Sequence, residues 1–182
     1  PIRLGAITAP NRILMAPMGD SLANPDGTGR TRIPGTTGSD HSPAWSADGT
    51  QIAFESTRRT GDNEVYVMSG TGGRVRELTF SPSFDGDPAW YPDGTRLAFE
   101  SDRAGNVDVW RMRADGGSQT RLTDAAGFDG DPAVSPDGTR IAFTSDRDGN
   151  RELYVMNADG TGQTRLTFTG GRVGNPAFES VD

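Results

Sequence analysis

Residues 129–140 read DGDPAVSPDGTR, a stretch that occurs 44 positions earlier as DGDPAWYPDGTR and, altered, at 40–51 as DHSPAWSADGTQ. The aspartate of the D-G-T turn falls at Asp48, Asp93 and Asp137, at spacings of 45 and 44 residues. A period of about 40–45 residues with four strand signals per unit marks a β-propeller blade. No other feature constrains the fold as much, because one such sheet cannot bury both its faces and must stack against neighbours.

Each unit parses alike. In the middle copy a short first strand, Pro88–Trp90, meets the turn 91–94, where Pro92 presets φ and Gly94 takes the positive φ of a bulged hairpin. The second strand, Arg96–Glu100, sets Leu97 and Phe99 on one face and Ala98 on the other. A Gly-Asn turn leads to a third strand at 107–112, and a turn at 114–117 leads to an outer strand at 120–123. Bulky residues recur in register: Phe54, Phe99 and Phe143; Tyr66, Trp110 and Tyr154; Leu78, Leu122 and Leu166. They read as the core between blades, since sheets covered on both sides are apolar on both sides.

The register runs on past the full copies. Residues 24–33 match 157–166, an outer strand, and residues 175–178 match 131–134, an inner strand. The expected fold is therefore an all-β propeller of four-stranded antiparallel blades. It has three full blades at 43–79, 88–123 and 132–167, and one composite blade built from both ends of a propeller region at 22–182. Residues 1–21 stand outside the repeat and read as a hairpin, which is expected to fill the composite blade's two middle positions.

Composition agrees and excludes several functions. Hydrophobic content of 32% with 25 glycines and 12 prolines fits short strands and tight turns. A net charge of −7 with scattered basic residues argues against a nucleic-acid partner. No cysteine is present for a disulfide or a thiolate metal site. No apolar run is long enough to span a bilayer, and no export signal is legible at Pro1.

The inventory for chemistry is thin. The single histidine, His41, reads as a solvated turn residue rather than a base, and no nucleophile elbow occurs. The glycine-rich runs are turns, because no helix follows them to cradle a phosphate. No catalytic, cofactor-binding or metal-binding residue is expected, and no cofactor. The acidic groups are the exception. Asp40, Asp85 and Asp129 share one repeat position, and Asp87 and Asp131 another, just before the inner strand. Inner strands line the channel, so these five are candidates for its mouth. They would either bind a cation or ligand through oxygen or cap their own loops by accepting backbone N–H groups. The corresponding fourth-blade residues are Val173 and Asn175. Asp102 and Asp146 are expected to hold the turn between second and third strands.

The unit at Pro132 to Thr167, with its neighbours over 24–178, resembles the propeller repeat of TolB-like proteins. That resemblance implies a periplasmic or extracytoplasmic propeller that binds other proteins, as the family does an outer-membrane lipoprotein. Residues 1–18, PIRLGAITAPNRILMAPM, look instead like the start of old-yellow-enzyme-type flavin oxidoreductases. There the Ala-Pro-Met run, here Ala16, Pro17 and Met18, passes along the flavin. Gly19 stands where that family has a polar threonine, and the rest of its barrel is absent, so flavin chemistry is not expected. The two resemblances meet near residues 25–27, which suggests a chimera or recombined chain. The expected function is a non-catalytic propeller module for protein binding or scaffolding. The alternative is the propeller of a hydrolase or peptidase, or one that binds a ligand or cation. TolB-like rings hold six to eight blades. Four per chain therefore imply a homodimer closed by exchange of terminal strands, with an interface above about 1,600 Å². Another protein at the channel mouth is the other expected partner.

Overall fold

The computed structural model describes residues 38–59, 61–171 and 173–178, with strand backbone also at 21–22 and 31–32. Among the described residues there is no helix. The strands are β1 (Ser21–Leu22), β2 (Thr31–Arg32), β3 (Asp40–Trp45), β4 (Gln51–Ser56), β5 (Glu64–Ser69) and β6 (Arg76–Glu77). They continue with β7 (Asp85–Trp90), β8 (Arg96–Ser101), β9 (Asp108–Arg113), β10 (Thr120–Arg121), β11 (Asp129–Val134), β12 (Arg140–Ser145), β13 (Glu152–Asn157) and β14 (Thr164–Arg165). Three antiparallel four-stranded sheets follow in chain order, β3–β6, β7–β10 and β11–β14. These are three blades of a propeller.

Local chemistry makes each hairpin. Between β7 and β8, Gly94 at φ 67° donates its N–H to Tyr91 O at 3.0 Å. Asp93 Oδ1 accepts the N–H of Thr95 at 2.8 Å. Asp48 and Asp137 accept from Thr50 and Thr139 in the same way, each at 3.0 Å. The outer strands are two residues long, which leaves little edge for another chain to pair with.

Period-2 alternation sends each blade's side chains to both neighbours. Ala53, Val65, Val67 and Leu78 of the first blade pack on Trp90, Leu97, Phe99 and Met112 of the second. Ala98, Val109 and Leu122 of the second pack on Ile141, Phe143, Tyr154 and Met156 of the third. Of the residues expected as inter-blade core, Leu78, Phe99, Trp110, Leu122, Phe143 and Tyr154 lie there, whereas Phe54, Tyr66 and Leu166 do not. Ile52, Phe54, Tyr66 and Met68 form the corresponding cluster on the far face of the first blade. The face of the third blade that points away from the second is more open: Leu166 is 37% exposed, against 2% for Leu78 and 7% for Leu122.

The ends behave less regularly. β1 pairs with β2, Ser21 opposite Arg32 and Leu22 opposite Thr31. That is the register of Tyr154 opposite Arg165 and Val155 opposite Thr164 in the third blade. Ser21 and Leu22 thus take the register of a third strand, although the apolar pattern of 1–21 does not match one. Residues 175–178, expected as an inner strand, form no ladder among the described residues. Even so, Val173 donates to Arg151 O at 3.1 Å, as Asp129 does to Val107 O and Asp85 to Asn63 O, each at 2.9 Å. Residues 1–20 of the hairpin expected at 1–21, and with them the flavin-oxidoreductase resemblance at 1–18, lie outside the described residues.

Candidate functional site at the channel mouth

β3 packs beside β7 and β7 beside β11, so the inner strands surround the axis. Each begins with a break in its ladder, between His41 and Ala44, Gly86 and Ala89, and Gly130 and Ala133. The displaced pairs are Ser42-Pro43, Asp87-Pro88 and Asp131-Pro132. Their first residues are left-handed, at φ 48°, 43° and 51°, and Asn175 before Pro176 repeats this at 50°. Aspartate and asparagine tolerate that region better than most side chains, and a bulge there re-aims a side chain out of the ladder. The four pairs line one open cavity of about 310 Å³. A second cavity of about 370 Å³ is lined by Trp45, Trp90, Val134 and Phe178, the last residues of the same four segments, among others.

A deeper layer of carboxyl groups supports this mouth. Glu55 Oε2 accepts the N–H of Asp87 at 3.1 Å, and Glu100 Oε1 accepts the N–H of Asp131. Each glutamate therefore reaches under the bulge of the next blade. A β-carbon at 86 or 130 would overlap Glu55 Oε2 or Glu100 Oε1, so a larger residue there would displace the glutamate's end, whereas His41 holds the equivalent place in the first blade. Thr144, at the third-blade position equivalent to these glutamates, donates to Asp131 Oδ2 at 2.7 Å. One oxygen from each of Asp87, Glu100 and Asp131 lies within 4.8 Å of the others, so these three groups form a set able to hold a cation. Burial raises the Glu100 carboxyl to about 8; Asp87, Asp131 and Glu55 add to the rise, and its bond from Asp131 N–H opposes it. Glu55 is also raised, chiefly by burial.

The five aspartates expected at the mouth divide in two. Asp87 and Asp131 line it. Asp40, Asp85 and Asp129 do not, which corrects the expectation for those three. Each is turned into its own blade and paired with an arginine 18 residues on: Arg58 at 2.8 Å, Arg103 at 2.6 Å and Arg147 at 2.7 Å. Each arginine also donates through Nε to the serine closing the second strand, Ser56, Ser101 or Ser145. Its guanidinium lies over two aromatic rings, as Arg103 does over Phe99 and Trp110 at 5.6 and 4.9 Å. Asp102 and Asp146 tie the loop before the inner strand, accepting from Phe84 and Phe128 N–H at 2.9 and 2.7 Å. His41 sits on β3 opposite Glu55 rather than in a turn.

Glu55 and Glu100 are the functional groups that sequence reasoning missed. Their only signal is an acid recurring at one position of an otherwise apolar strand in two copies of three.

Comparison with known proteins agrees with this geometry. The family model for the TolB β-propeller domain matches residues 22–124 and again 86–181. TolB from Acinetobacter baumannii is 28% identical with a TM-score of 0.77, over 86% of this chain and 39% of that one. A TolB structure from Agrobacterium tumefaciens is 27% identical with a TM-score of 0.73, over 82% and 55%. The chain thus spans about half, or less, of the length of these structures. A puromycin-hydrolysing peptidase from Mycobacterium tuberculosis, 18% identical, shares the fold at a TM-score of 0.71 over 87% of this chain and 27% of its own. No curated protein matches. With its repeat matched over nearly its whole length, the chain belongs to the TolB β-propeller domain family.

Proposed function

We propose that the chain is a non-catalytic binding module that receives a positively charged group of another protein at the channel mouth. The observation that carries this reading is the placement of Asp87 and Asp131 on left-handed bulges around one open cavity, with Glu100 beneath them. Backbone strain kept at such positions is a common feature of binding sites. Clustered carboxylates in a partly enclosed mouth attract a cationic side chain and are sensitive to salt. Membership of the TolB family supports binding over catalysis. The test is fluorescence anisotropy with a labelled tetralysine peptide and a tetraglutamate control. Tetralysine binding should weaken with salt and fall at least tenfold in the Asp87→Asn/Asp131→Asn double variant. Equal binding of both peptides, or no effect of the double substitution, would refute the site.

We also propose that two copies of the chain associate, as the family's larger rings suggest. The supporting observation is the graded exposure of one repeat position, from 2% at Leu78 to 37% at Leu166, where no further blade follows the third among the described residues. Light scattering is expected to give twice the 19.3 kDa chain mass, and Leu166→Asp to halve it. A wild-type monomer would remove the proposal.

A further inference from the structure

The acid that opens the third strand of each blade is Glu64, Asp108 or Glu152. Immediately before it, a backbone carbonyl accepts the N–H that begins the next inner segment: Asn63 from Asp85, Val107 from Asp129, Arg151 from Val173. The three junctions therefore share one backbone geometry and carry three different chemistries. The fourth strand supplies the other neighbour. Arg165 lies 3.3 Å from Glu152 and Arg121 lies 2.6 Å from Asp108. The equivalent residue in the first blade is Glu77, which is paired instead with Arg59 at 2.5 Å and the Tyr66 hydroxyl at 2.8 Å.

Glu64 is 1% exposed and Asp85 is fully buried. Glu64 Oε1 accepts Ser81 N–H at 2.7 Å. Asp85 Oδ2 accepts from Arg103 Nη2 at 2.6 Å and from Ser81 Oγ at 3.1 Å. The remaining oxygens, Glu64 Oε2 and Asp85 Oδ1, are buried without a hydrogen-bond partner among the described residues. Ser81 binds both carboxyl groups, its N–H on Glu64 and its hydroxyl on Asp85, and so holds them side by side. Two buried carboxylate oxygens without a donor repel when both are charged, and a single proton between them satisfies both. We infer that Glu64 and Asp85 share one proton, making the junction of the first and second blades a latch that acid closes and base loosens.

At the second junction Asp108 Oδ2 and Asp129 Oδ1 are also buried without a hydrogen-bond partner among the described residues, but Arg121 lies 2.6 Å from Asp108 Oδ2. Burial raises Glu64 to about 7, with the charge of Asp85 adding to the rise and the nearby Thr79 hydroxyl and the Ser81 amide opposing it. Burial also raises Asp108, but Arg121 opposes the rise. At the third junction Val173 replaces the aspartate. There the Thr167 hydroxyl, followed by the amides of Gly170 and Thr169 and by Arg165, holds Glu152 down at about 2. Besides Asp85 and its partner Arg103, the titratable groups around Glu64 are Tyr66 on its own strand and Arg59, Asp62 and Glu77 in the adjoining groove.

The direction of the pH effect follows. The folded value lies above the ordinary 4.5, so the folded chain holds this proton more tightly than the unfolded one. The stabilisation is complete below 4.5 and is lost as pH rises through about 7. Across that window the unfolding constant should rise up to about tenfold per pH unit.

Urea unfolding from pH 4.5 to 8.5, with ¹³C titration of the glutamate carboxyls, tests this. Glu64→Gln carries a permanent donor, so its unfolding constant at pH 8 should be at least tenfold lower than wild type, with the gap closing towards pH 5. Glu77→Arg, which restores the cation of the other blades, should move the Glu64 titration below 5. If Glu64→Gln does not fold, the wild-type carboxyl titration decides alone. A Glu64 midpoint near 4.5, or a Glu64→Gln effect independent of pH, would overturn the inference. So would stabilisation of wild type by calcium or magnesium at pH 8 that Glu64→Gln abolishes, since a cation would then occupy the proton's place.

Discussion

Arg147→Ala is expected to lower stability by about 3–5 kcal/mol, the usual effect of stranding one partner of a buried ion pair. Asp129 is fully buried, and the 2.7 Å bond from Arg147 Nη2 is its only ion pair among the described residues. The same guanidinium donates to Ser145 at 2.8 Å and Gln163 at 2.6 Å and lies over Phe143 and Tyr154. Alanine removes all of these and leaves Asp129 either charged in an apolar setting or protonated. Arg147→Lys keeps the charge but cannot reproduce three donations in one plane, so it should recover only part of the loss. Urea denaturation with an unchanged m-value is the measurement. A loss below about 1 kcal/mol would place the pair among surface salt bridges, which its burial contradicts.

Phe99→Ala should cost about as much, 3–5 kcal/mol, for a different reason. Phe99 is fully buried in the cluster between the first and second blades, and Arg103 lies over its ring. Truncation leaves a cavity between two sheets held apart by their other contacts, so the gap cannot close. Phe143 holds the equivalent place between the second and third blades. Blades touch only their neighbours, so the losses from Phe99→Ala and Phe143→Ala should add within about 0.5 kcal/mol. A shortfall well beyond that would mean the three blades do not form separate interfaces.

Much of this architecture is legible in the residues. The D-G-T turns announce themselves because aspartate and glycine answer local needs: a bond to an N–H two residues on, and a positive φ. The alternation of Leu97, Ala98 and Phe99 shows a strand covered on both faces, and its recurrence shows blades. The ends were harder to read. Ser21 and Leu22 stand in a third-strand register without an apolar pattern to betray it, because two residues of ladder need no pattern.

The site was legible only in part. Asp85 and Asp87 differ by two positions and would share a face of a regular strand. The break between Gly86 and Ala89 separates them, sending Asp87 to the mouth and leaving Asp85 with Arg103. An available signal was the arginine 18 residues after each of Asp40, Asp85 and Asp129, constant in all three copies even where the second strand's loop carries an extra residue. Glu100 was harder still, since nothing near it in the chain shows that it reaches beneath Asp131, 31 residues away.

The amino-acid sequence by itself determined the period, the hairpins, the two-faced blades and their stacking order. Each of these follows from turn chemistry and alternation over a few neighbouring residues. The tertiary structure decided which carboxylates meet across blades: Glu55 with Asp87, Glu100 with Asp131, Glu64 with Asp85. Those pairings depend on how far one sheet is displaced against the next and on where a bulge breaks a ladder. Distances of that kind belong to the packing of blades, and no single blade encodes them.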